Sequence, residues 1–365
     1  MTEGTDTRRE TTLGQAAETG PLRADGGPPV PIGVKIGSTR TVLVLPADDG
    51  GLQIIRTLTC LASYENPITG ETKYAFGDDA AAEYPEKVQF PLRSGLPDAG
   101  EQTDRAQQFF DAVADSHDIP AHSVVVYATP ASGDQSGQAN LRSVIEESRI
   151  GDAGIERYPE GLCGSIPAFG DHLEAIDEVF LAVNLGSTST EFAAYRRGEQ
   201  LAPYRTGSVT GNEIDREIVN NVENESGSRV HIDINTAREY KEQYADFEAF
   251  EPVTETIQQP GGGRHDFTVS WSIMDPVEAY LDGVVSEFTE QFLPQLANNY
   301  RRVYRPAIQK QIVLTGGMAC VPGLVDAFER RVSDRLDEEI TAVAPKRADL
   351  AATVGAYRIA DRLAH

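Results

Sequence analysis

Two segments of the chain repeat one pattern: a strand, a Gly-Ser-Thr turn and a second strand. The first reads Val-Lys-Ile-Gly-Ser-Thr-Arg-Thr-Val-Leu over residues 34–43, and the second reads Val-Asn-Leu-Gly-Ser-Thr-Ser-Thr-Glu-Phe over residues 183–192. An apolar, β-rich run stands before and after each turn, which predicts two β-hairpins. One such turn is ordinary loop chemistry, but two matching copies 149 residues apart predict a duplicated domain.

The composition of the turns suggests what they could bind. Glycine accepts backbone conformations with positive φ, so a Gly-Ser-Thr tip can direct N–H and hydroxyl groups at phosphate oxygens. The duplication then predicts that the two tips face each other across a cleft and hold a phosphate chain. A third segment, Thr315-Gly316-Gly317, ends an apolar run at 311–314. A flat purine could lie against its backbone because no Cβ intrudes there.

The remainder of the chain shows the periodicities of alternating strands and helices. The predicted elements are a buried strand at 124–128, a helix at 138–150, a long central helix at 276–305, a strand at 311–314, a helix from 324 and a loop or hairpin at 246–264. Residues 1–30 are rich in Thr, Gly, Glu and Pro and poor in large apolar residues, which predicts a disordered tail.

The charge balance excludes several classes of partner. The chain carries 57 Asp and Glu against 32 Lys and Arg, for a net charge of -25. No basic cluster exceeds a pair such as Arg301-Arg302, so neither a nucleic acid nor an anionic membrane is an expected partner. Only six of the basic residues are lysines, and this acidity with scarce lysine is typical of proteins from extreme halophiles. An ordinary acidic cytosolic protein is the alternative.

Cysteine and histidine patterns argue against metal and disulfide frameworks. Cys60, Cys163 and Cys320 are far apart and form no CxxC motif, and the six histidines form no HExxH or HxxxH motif. The chain has no run of 18 apolar residues and no signal-peptide pattern. The sequence therefore predicts a soluble, cytoplasmic protein without a disulfide framework, a zinc site or a His-based metal site, while Mg²⁺ as a cofactor stays possible.

In their order along the chain, the two hairpins and the Thr-Gly-Gly strand end resemble the superfamily of actin, bacterial MreB and the seventy-kilodalton heat-shock chaperones. The resemblance covers about residues 31–362, and the short stretch between Leu58 and Asp98 is most like MreB. With the halophilic composition, the chain resembles the haloarchaeal actin homologues of the salactin or volactin type. This implies an α/β actin-like ATPase fold with two duplicated ribonuclease-H-like lobes and a nucleotide cleft between them.

The resemblance also implies a division of the chain into domains. The expected parts are a tail at 1–30, lobe I at 31–180 with a small subdomain at about 55–98, lobe II at 181–345 with a small subdomain at about 220–275, and a C-terminal helix at 346–365 that returns to lobe I. The tail is expected to be a dispensable extension, and a tether or a regulator of assembly is the alternative.

The superfamily's nucleotide contacts carry over to matching positions. The expected nucleotide-binding residues are Lys35, Gly37, Ser38, Thr39 and Arg40 at the first phosphate loop; Gly186, Ser187, Thr188 and Ser189 at the second; Gly211 and Glu213 in the turn that follows; Lys241 near the nucleoside; Gly316, Gly317 and Met318 in the adenosine motif; and Asp349 near the base and ribose. Glu160, in Glu-Gly-Leu-Cys-Gly-Ser-Ile, matches the acid that helps to position the attacking water. A solvated loop acid is the alternative for Glu160.

Two positions depart from the superfamily pattern. Each phosphate hairpin is normally preceded by Asp, but Lys35 and Asn184 stand there in this chain. Those carboxylates support Mg²⁺ through water and help to orient the attacking water, so Mg²⁺ would lack its usual support here. We expect the Lys35 ammonium to pair with phosphate oxygens and hydrolysis to be slow or atypical. The alternative is that Lys35 points to solvent in a degenerate site.

These features favour a protein that binds ATP or GTP and polymerises with itself into cytoplasmic filaments not held to lipid. A small-molecule kinase, or a nucleotide-binding regulator that does not polymerise, is the alternative on the same fold. A kinase usually keeps the Asp at the phosphate loops, which counts against it. A chaperone ATPase is not expected, because the chain ends soon after the adenosine motif.

Overall fold

A computed structural model describes residues 27–92, 95–130, 135–170, 173–258 and 264–365. Residues 1–26 of the predicted tail and 259–263 of the predicted loop lie outside the described residues, and Val30 already belongs to the first strand. The chain divides into two units. The first unit comprises Met1–Thr129, Gly133–Tyr158 and Thr353–His365, and the second comprises Pro130–Ser132 and Pro159–Ala352.

Groups of strands alternate with groups of helices along the chain. The strands are β1 (Val30–Ile36), β2 (Arg40–Pro46), β3 (Leu52–Leu58), β4 (Leu61–Glu65), β5 (Thr72–Phe76), β6 (Val88–Gln89), β7 (Ser123–Thr129), β8 (Gly154–Pro159), β9 (Val179–Leu185), β10 (Thr190–Arg196), β11 (Glu199–Thr206), β12 (Val253–Gln258), β13 (Arg264–Val269), β14 (Ile312–Thr315) and β15 (Ala342–Val343). Both hairpins predicted from the repeat are confirmed, because β1 pairs with β2 and β9 with β10 in antiparallel fashion.

Most helices are short or of medium length. The α-helices are α1 (Gly77–Glu83), α2 (Glu101–Ser116), α3 (Gln135–Glu146), α4 (Glu160–Ser165), α5 (Gly211–Glu225), α6 (Ile234–Tyr244), α7 (Met274–Ser286), α8 (Leu293–Asn299), α9 (Arg301–Ile308), α10 (Leu324–Leu336) and α11 (Ala351–Ala364). Short 3₁₀ turns lie at Pro85–Lys87, Ile166–Phe169, Leu173–Asp177 and Gly317–Cys320. Within the described ranges, none of the helices has the length and apolar character needed to cross a bilayer.

The main sheet of the first unit has the strand order β3-β2-β1-β7-β8. Strands β1 to β3 form an antiparallel meander, and β7 runs parallel to β1. All seven residues of β7 are buried, as its unbroken apolar run predicts for a central strand. Helix α11 packs against this sheet at Gly33, where a Cβ would lie 2.3 Å from the Thr353 carbonyl oxygen. Glycine at that position therefore lets the last helix lie directly on β1.

The main sheet of the second unit repeats this plan, with the order β11-β10-β9-β14-β15. Again three strands form an antiparallel meander, and the next strand, β14, runs parallel to the first. The matching strand orders confirm the duplication predicted from the two turns. Each unit also carries one small antiparallel sheet, β5-β4-β6 in the first and β12-β13 in the second.

The long helix predicted at 276–305 is not a single helix. It continues from α7 through a π-helical turn at Glu287–Phe292 into α8, but it breaks at Tyr300, where φ is -135° and ψ is 52°. The π-helical turn places Phe288 and Phe292 against Phe192 of the sheet, with ring centroids 5.9 and 5.8 Å apart. Apolar periodicity continues through such a break, so the sequence pattern does not reveal it.

The helix predicted at 138–150 ends earlier than expected, because α3 stops at Glu146. Ile150 is nevertheless buried, at 2% exposure, in the segment that follows the helix. The helical spacing of Ile150 therefore predicted its burial correctly, but it predicted a helix that extends too far. The strand at 124–128, the strand at 311–314, the helix from 324 and the hairpin around 246–264 are confirmed by β7, β14, α10 and the β12-β13 pair.

Candidate functional site

The two hairpin tips are closed by the same backbone hydrogen bond at equivalent positions. In the first tip the Gly37 N–H donates to the Arg40 carbonyl oxygen over 3.0 Å. In the second tip the Gly186 N–H donates to the Ser189 carbonyl oxygen, also over 3.0 Å. The sequence repeat therefore corresponds to a repeated backbone geometry.

Both tips require glycine, but not for the reason expected from the sequence. A Cβ on Gly37 would lie 2.8 Å from the Arg40 carbonyl oxygen, and a Cβ on Gly186 would lie 2.7 Å from that of Ser189. Neither glycine has a positive φ. The expectation of left-handed backbone is therefore wrong for these residues, and the close approach of the two backbone segments is what excludes a side chain.

The first tip is supported by loops of its own unit. The buried hydroxyl of Ser38 accepts a hydrogen bond from the Gly95 N–H over 2.5 Å, and the Thr39 carbonyl oxygen accepts one from Thr59 over 2.9 Å. Lys35 is half-buried, and its Cε lies 3.8 Å from the position a Cβ would take on Gly37. The Lys35 side chain therefore runs beside the tip, while its role toward phosphate stays a prediction.

The second tip is supported by the start of helix α5. The Gly211 N–H donates to the Gly186 carbonyl oxygen over 3.1 Å, and the Asn212 N–H donates to that of Ser187 over 2.8 Å. Thr210 caps the helix by accepting from the Glu213 N–H. The positive end of the α5 dipole thus lies beside the tip, which favours a nearby anion.

Side chains of the second tip differ in exposure. Ser187 and Thr188 are half-buried, whereas Ser189 is buried and its hydroxyl donates to Glu191 over 3.5 Å. Glu191 is 3% exposed and pairs with Arg205, whose Nε lies 3.4 Å from its carboxylate. The Glu213 side chain points outward and pairs with Arg216 over 2.6 Å. Ser187 and Thr188 are therefore the hydroxyls of this tip that are most accessible.

Behind the second tip, a chain of hydrogen bonds joins three buried polar side chains. The Asn184 amide Nδ2 donates to the Glu160 carboxylate over 2.9 Å, and its Oδ1 accepts from the Thr315 hydroxyl over 3.3 Å. Glu160 is 6% exposed, so its description as a solvated loop acid is wrong. The amide of Asn184 thus satisfies a buried carboxylate that a second carboxylate at that position would repel.

Glycines in the small helix α4 allow this arrangement. Glu160 is the first residue of α4, and a Cβ on Gly164 would lie 2.8 Å from the Thr315 side chain. A Cβ on Gly161 would lie 2.9 Å from the Tyr195 hydroxyl oxygen. The two glycines therefore let α4 lie close to the sheet of the second unit, and this brings Glu160 to Asn184.

At the end of β14, two glycines have different roles. Gly316 has φ of 91°, and a Cβ there would lie 2.4 Å from the Leu185 carbonyl oxygen, so only glycine fits. Gly317 is exposed, and no described atom lies within 4 Å of the position its Cβ would take. Gly317 therefore presents an open backbone surface of the kind that a flat ring could contact.

The neighbours of this glycine pair are part of the second unit's core and surface. Met318 is 4% exposed and its side chain packs in the hydrophobic core. Asp349 forms a two-pronged ion pair with Arg347, with both N–O distances 3.2 Å. The Cys320 Sγ lies 3.6 Å from the Asp349 carboxylate, and burial raises the pKa of this thiol to about 11 with a further contribution from Asp349.

The predicted nucleoside contact Lys241 belongs to a buried charge cluster. Its Nζ donates to the Gly211 carbonyl oxygen over 2.9 Å and to the carboxylate of Asp215, which is fully buried. Arg238 donates to the other oxygen of Asp215 over 3.1 Å. Burial lowers the pKa of Lys241, and Asp215 opposes this shift. Lys241 therefore ties α6 to the first turn of α5, beside the second tip.

The residues present fit a nucleotide better than they fit a divalent metal. Backbone N–H groups and hydroxyls of the tips are suitable phosphate donors, and the dipole of α5 favours an anion nearby. The carboxylate buried beside the second tip, Glu160, already accepts a hydrogen bond from Asn184. Across the described ranges, no group of three or more His, Cys, Asp and Glu side chains has the arrangement of a metal site. The described side chains therefore do not form a ligand set for direct coordination of Mg²⁺.

Comparison with solved structures defines the fold class. MreB5 of Spiroplasma citri bound to AMPPNP matches with a TM-score of 0.70 at 16% identity, covering 91% of this chain and 96% of that chain. A MamK double helical filament matches with a TM-score of 0.69 at 17% identity, covering 91% and 98%. The protein therefore has the actin-like ATPase fold, as the resemblance implied.

Comparison of sequences is more specific. The family model described as Salactin matches residues 29–364. Salactin of Halobacterium salinarum is 49% identical over 338 residues, which is 93% of each of the two chains. The chain belongs to the Salactin family. The expectation of a haloarchaeal actin homologue is confirmed, and the acidic composition agrees with a relative from Halobacterium.

The structure brings several predicted residues together within the second unit. Gly186, Ser187 and Gly211 adjoin one another, Glu160 contacts Asn184, and Gly316 lies against Leu185 and Asn184. Asp215, Arg238 and Thr315 also belong to these networks, although no sequence pattern predicts that role for them. Asp215 and Arg238 stand in the same segments as Gly211 and Lys241, and that proximity was the available signal.

Proposed function

We propose that this protein binds a nucleoside triphosphate and polymerises with itself into cytoplasmic filaments. The observation that supports it most is the repeated tip geometry, with equivalent hydrogen bonds of 3.0 Å in a chain of the Salactin family. Two tips built alike suit a ligand with a chain of equivalent anionic groups. The MreB5 structure of the same fold is that of a protein bound to AMPPNP.

In the proposed complex the second tip donates to phosphate oxygens, and α5 acts through its dipole, because its first N–H groups already donate to the tip and to Thr210. Ser187 and Thr188 supply hydroxyls, and the first turn of α5 supplies a favourable dipole. At the first tip Lys35 supplies the positive charge, since an ammonium group needs no octahedral shell of water. Gly317 follows the end of β14, Asp349 lies close to the same segment, and in the proposed complex the two contact the base and ribose.

Hydrolysis is proposed to be slow or to follow an atypical arrangement. A general base or water-positioning acid must reach the attacking water with an available oxygen. Glu160 is the buried acid nearest the second tip's Asn184, and one of its oxygens accepts from that amide. A carboxylate oxygen can accept more than one hydrogen bond, and on this ground we assign Glu160 the role of positioning the water. Mg²⁺ would be held mainly by phosphate and water.

Self-assembly is proposed on the same fold as the MamK double helical filament. A head-to-tail contact between identical subunits forms an open filament when its rotation does not close. Nucleotide binding that favours one conformation of the subunit would then bias addition or loss of subunits.

The domain boundaries at 31–180 and 181–345, with a C-terminal helix at 346–365, are kept as part of this proposal.

Negative-stain microscopy and light scattering in molar KCl, with and without ATP or GTP, test the proposal. We expect nucleotide-dependent filaments, a measurable affinity for at least one triphosphate, and slow phosphate release. Monomers under all these conditions would contradict polymerisation. A coupled assay over small polyols separates the kinase alternative, because a kinase would consume triphosphate only when an acceptor is present.

A further inference from the structure

Helix α9 carries a cluster of positive charge that the proposed nucleotide site does not use. Arg301, Arg302 and Arg305 are exposed on this helix, and Tyr300 immediately before it is 37% exposed. We name these four residues the α9 patch. The sequence shows only the Arg301-Arg302 pair, and the helix adds Arg305, because residues four apart lie on the same face.

The arginines of the α9 patch have no ion pair or hydrogen bond within the described part of the chain. Other arginines of the second unit do: Arg331 pairs with Glu278 and Asp282, and Arg335 pairs with Glu290. In a chain with a net charge of -25, an exposed cationic cluster without carboxylate partners is unexpected. Its composition, three arginines and a tyrosine, is typical of the residues that dominate protein–protein contacts.

A second surface of the same unit has the opposite character. A cavity of about 400 Å³ lies between α5 and α7 and includes Val209, Pro276 and Tyr280 as apolar lining. Glu217 and Asp275 also line it, and both are exposed. Neither carboxylate has an ion pair within the described residues. We name this cavity the α5/α7 groove.

We propose that the α9 patch of one copy of this chain docks into the α5/α7 groove of a second copy. The charges are complementary, and the two surfaces are built from different elements, so the contact is heterologous and can propagate as an open filament. The inference rests on the proposed self-assembly and names the surfaces that carry it.

The α9 patch and the α5/α7 groove also match in hydrogen bonding and in apolar contact. A guanidinium group can bind a carboxylate through two hydrogen bonds, while the arginine stem and the Tyr300 ring cover apolar wall. A cavity of about 400 Å³ has room for one or two such side chains. Contact pairs shielded by the interface are screened less than exposed ones, so they persist in molar salt. A polyanionic nucleic acid is disfavoured because the chain as a whole repels it.

A charge-swap experiment tests the contact. The patch variant carries Arg301→Glu and Arg305→Glu, and the groove variant carries Glu217→Arg and Asp275→Arg. We expect each variant alone to raise the critical concentration for filaments at least tenfold. A chain that carries all four substitutions, or an equimolar mixture of the two variants, restores assembly. A control with the same charge change at two exposed arginines elsewhere, Arg197→Glu and Arg362→Glu, should polymerise like the original chain.

The outcomes separate this inference from the proposed function. Failure of the original chain to polymerise would overturn both. If the original chain polymerises, unchanged assembly of the patch and groove variants overturns the docking surfaces alone, as does failure of both the swapped chain and the mixture. Nucleotide affinity and melting temperature must stay unchanged in the single variants, which excludes misfolding. A gel shift of an RNA or DNA fragment that disappears in the patch variant would assign the patch to nucleic acid instead.

Discussion

The first hairpin tip is held by a loop, whereas the second is held by a helix. At the first, the Ser38 hydroxyl accepts from Gly95 and Lys35 runs beside the turn. At the second, two N–H groups from the first turn of α5 donate to the tip, and Asn184 lies in a buried network with Glu160. One backbone design is thus supported in two ways.

The different supports of the two tips predict different effects of substitution on folding and on binding. A helix N-terminus and buried hydrogen bonds preorganise the second tip, and the Lys241 ammonium near it is paired with Asp215. At the first tip the hydrogen bonds described above come from loop residues, and a lysine side chain runs beside the turn. We therefore expect disturbance of the second tip to affect both folding and binding, and disturbance of the first to affect mainly binding.

The largest effects are expected from alanine at the tip glycines. Gly186→Ala would force a Cβ to within 2.7 Å of the Ser189 carbonyl oxygen and displace the start of α5. We expect a loss of about 2–3 kcal/mol in stability, against about 1–2 kcal/mol for Gly37→Ala. Each should weaken nucleotide binding about 100-fold, the equivalent of two charge-assisted hydrogen bonds at about 1.5 kcal/mol each. Thermal unfolding and fluorescent-nucleotide titration measure both.

Gly207→Ala is a matched control, because no described atom lies within 4 Å of the position its Cβ would take. It should leave both stability and affinity nearly unchanged. Equal stability losses at Gly37 and Gly186 would contradict the distinction between a loop-supported and a helix-supported tip.

The next effect concerns the buried network of the second tip. Asn184→Asp would place a second carboxylate about where the amide now donates to Glu160 over 2.9 Å. A carboxyl pair of this kind has a raised folded-state pKa, and a shift of about two units costs about 2.7 kcal/mol at neutral pH. Since the raised pKa penalises the ionised form, the loss of stability should shrink as pH falls from 7.5 toward 5. Denaturant unfolding at several pH values measures it.

The double variant Asn184→Asp with Glu160→Gln is the control for this prediction. It restores one carboxylate and one amide in the pair, with their positions exchanged, so most of the stability at pH 7.5 should return. A loss that does not vary with pH, or that persists in the double variant, would show that the two side chains are not coupled through charge.

Lys35→Ala tests whether the lysine beside the first tip contributes to nucleotide binding. We expect nucleotide affinity to fall about tenfold to thirtyfold, because one charge-assisted hydrogen bond to phosphate is lost, with little change in melting temperature. The control is Lys310→Ala, which removes an exposed lysine that pairs with Glu178. If neither affinity nor turnover changes in Lys35→Ala, the lysine has no role in the site.

The smallest effect is on the reactivity of Cys320. Its pKa of about 11 leaves roughly 100-fold less thiolate at pH 8 than its ordinary value near 9 would. Alkylation should therefore be slow, rise with pH beyond 9, and slow further by about threefold when nucleotide covers Gly317. Mass spectrometry after iodoacetamide follows it, and Cys320→Ser identifies the site, since Cys60 and Cys163 are buried. Fast labelling indifferent to nucleotide would place the nucleoside elsewhere.

Local pattern predicted the elements that depend on a few neighbouring residues. Alternating apolar runs around Gly-Ser-Thr located both hairpins, and an unbroken apolar run located β7. Helix ends were less accurate, because α3 stops at Glu146 and the long helix breaks at Tyr300. The spacing of apolar residues predicts which residues are buried, but it hardly predicts where a helix ends or breaks.

Residue identity was sufficient for the duplicated fold, the acidic composition and the family, because repeats, residue counts and motif order reveal these. Tertiary packing alone decided the partners of the buried polar groups. Asn184 and Glu160 are 24 residues apart, and Lys241 and Asp215 are 26 apart, yet each pair is joined by a hydrogen bond. A buried polar or charged group is costly unless it is hydrogen-bonded, and tertiary packing decides which group lies close enough to bond to it. No local pattern in the chain specifies that partner.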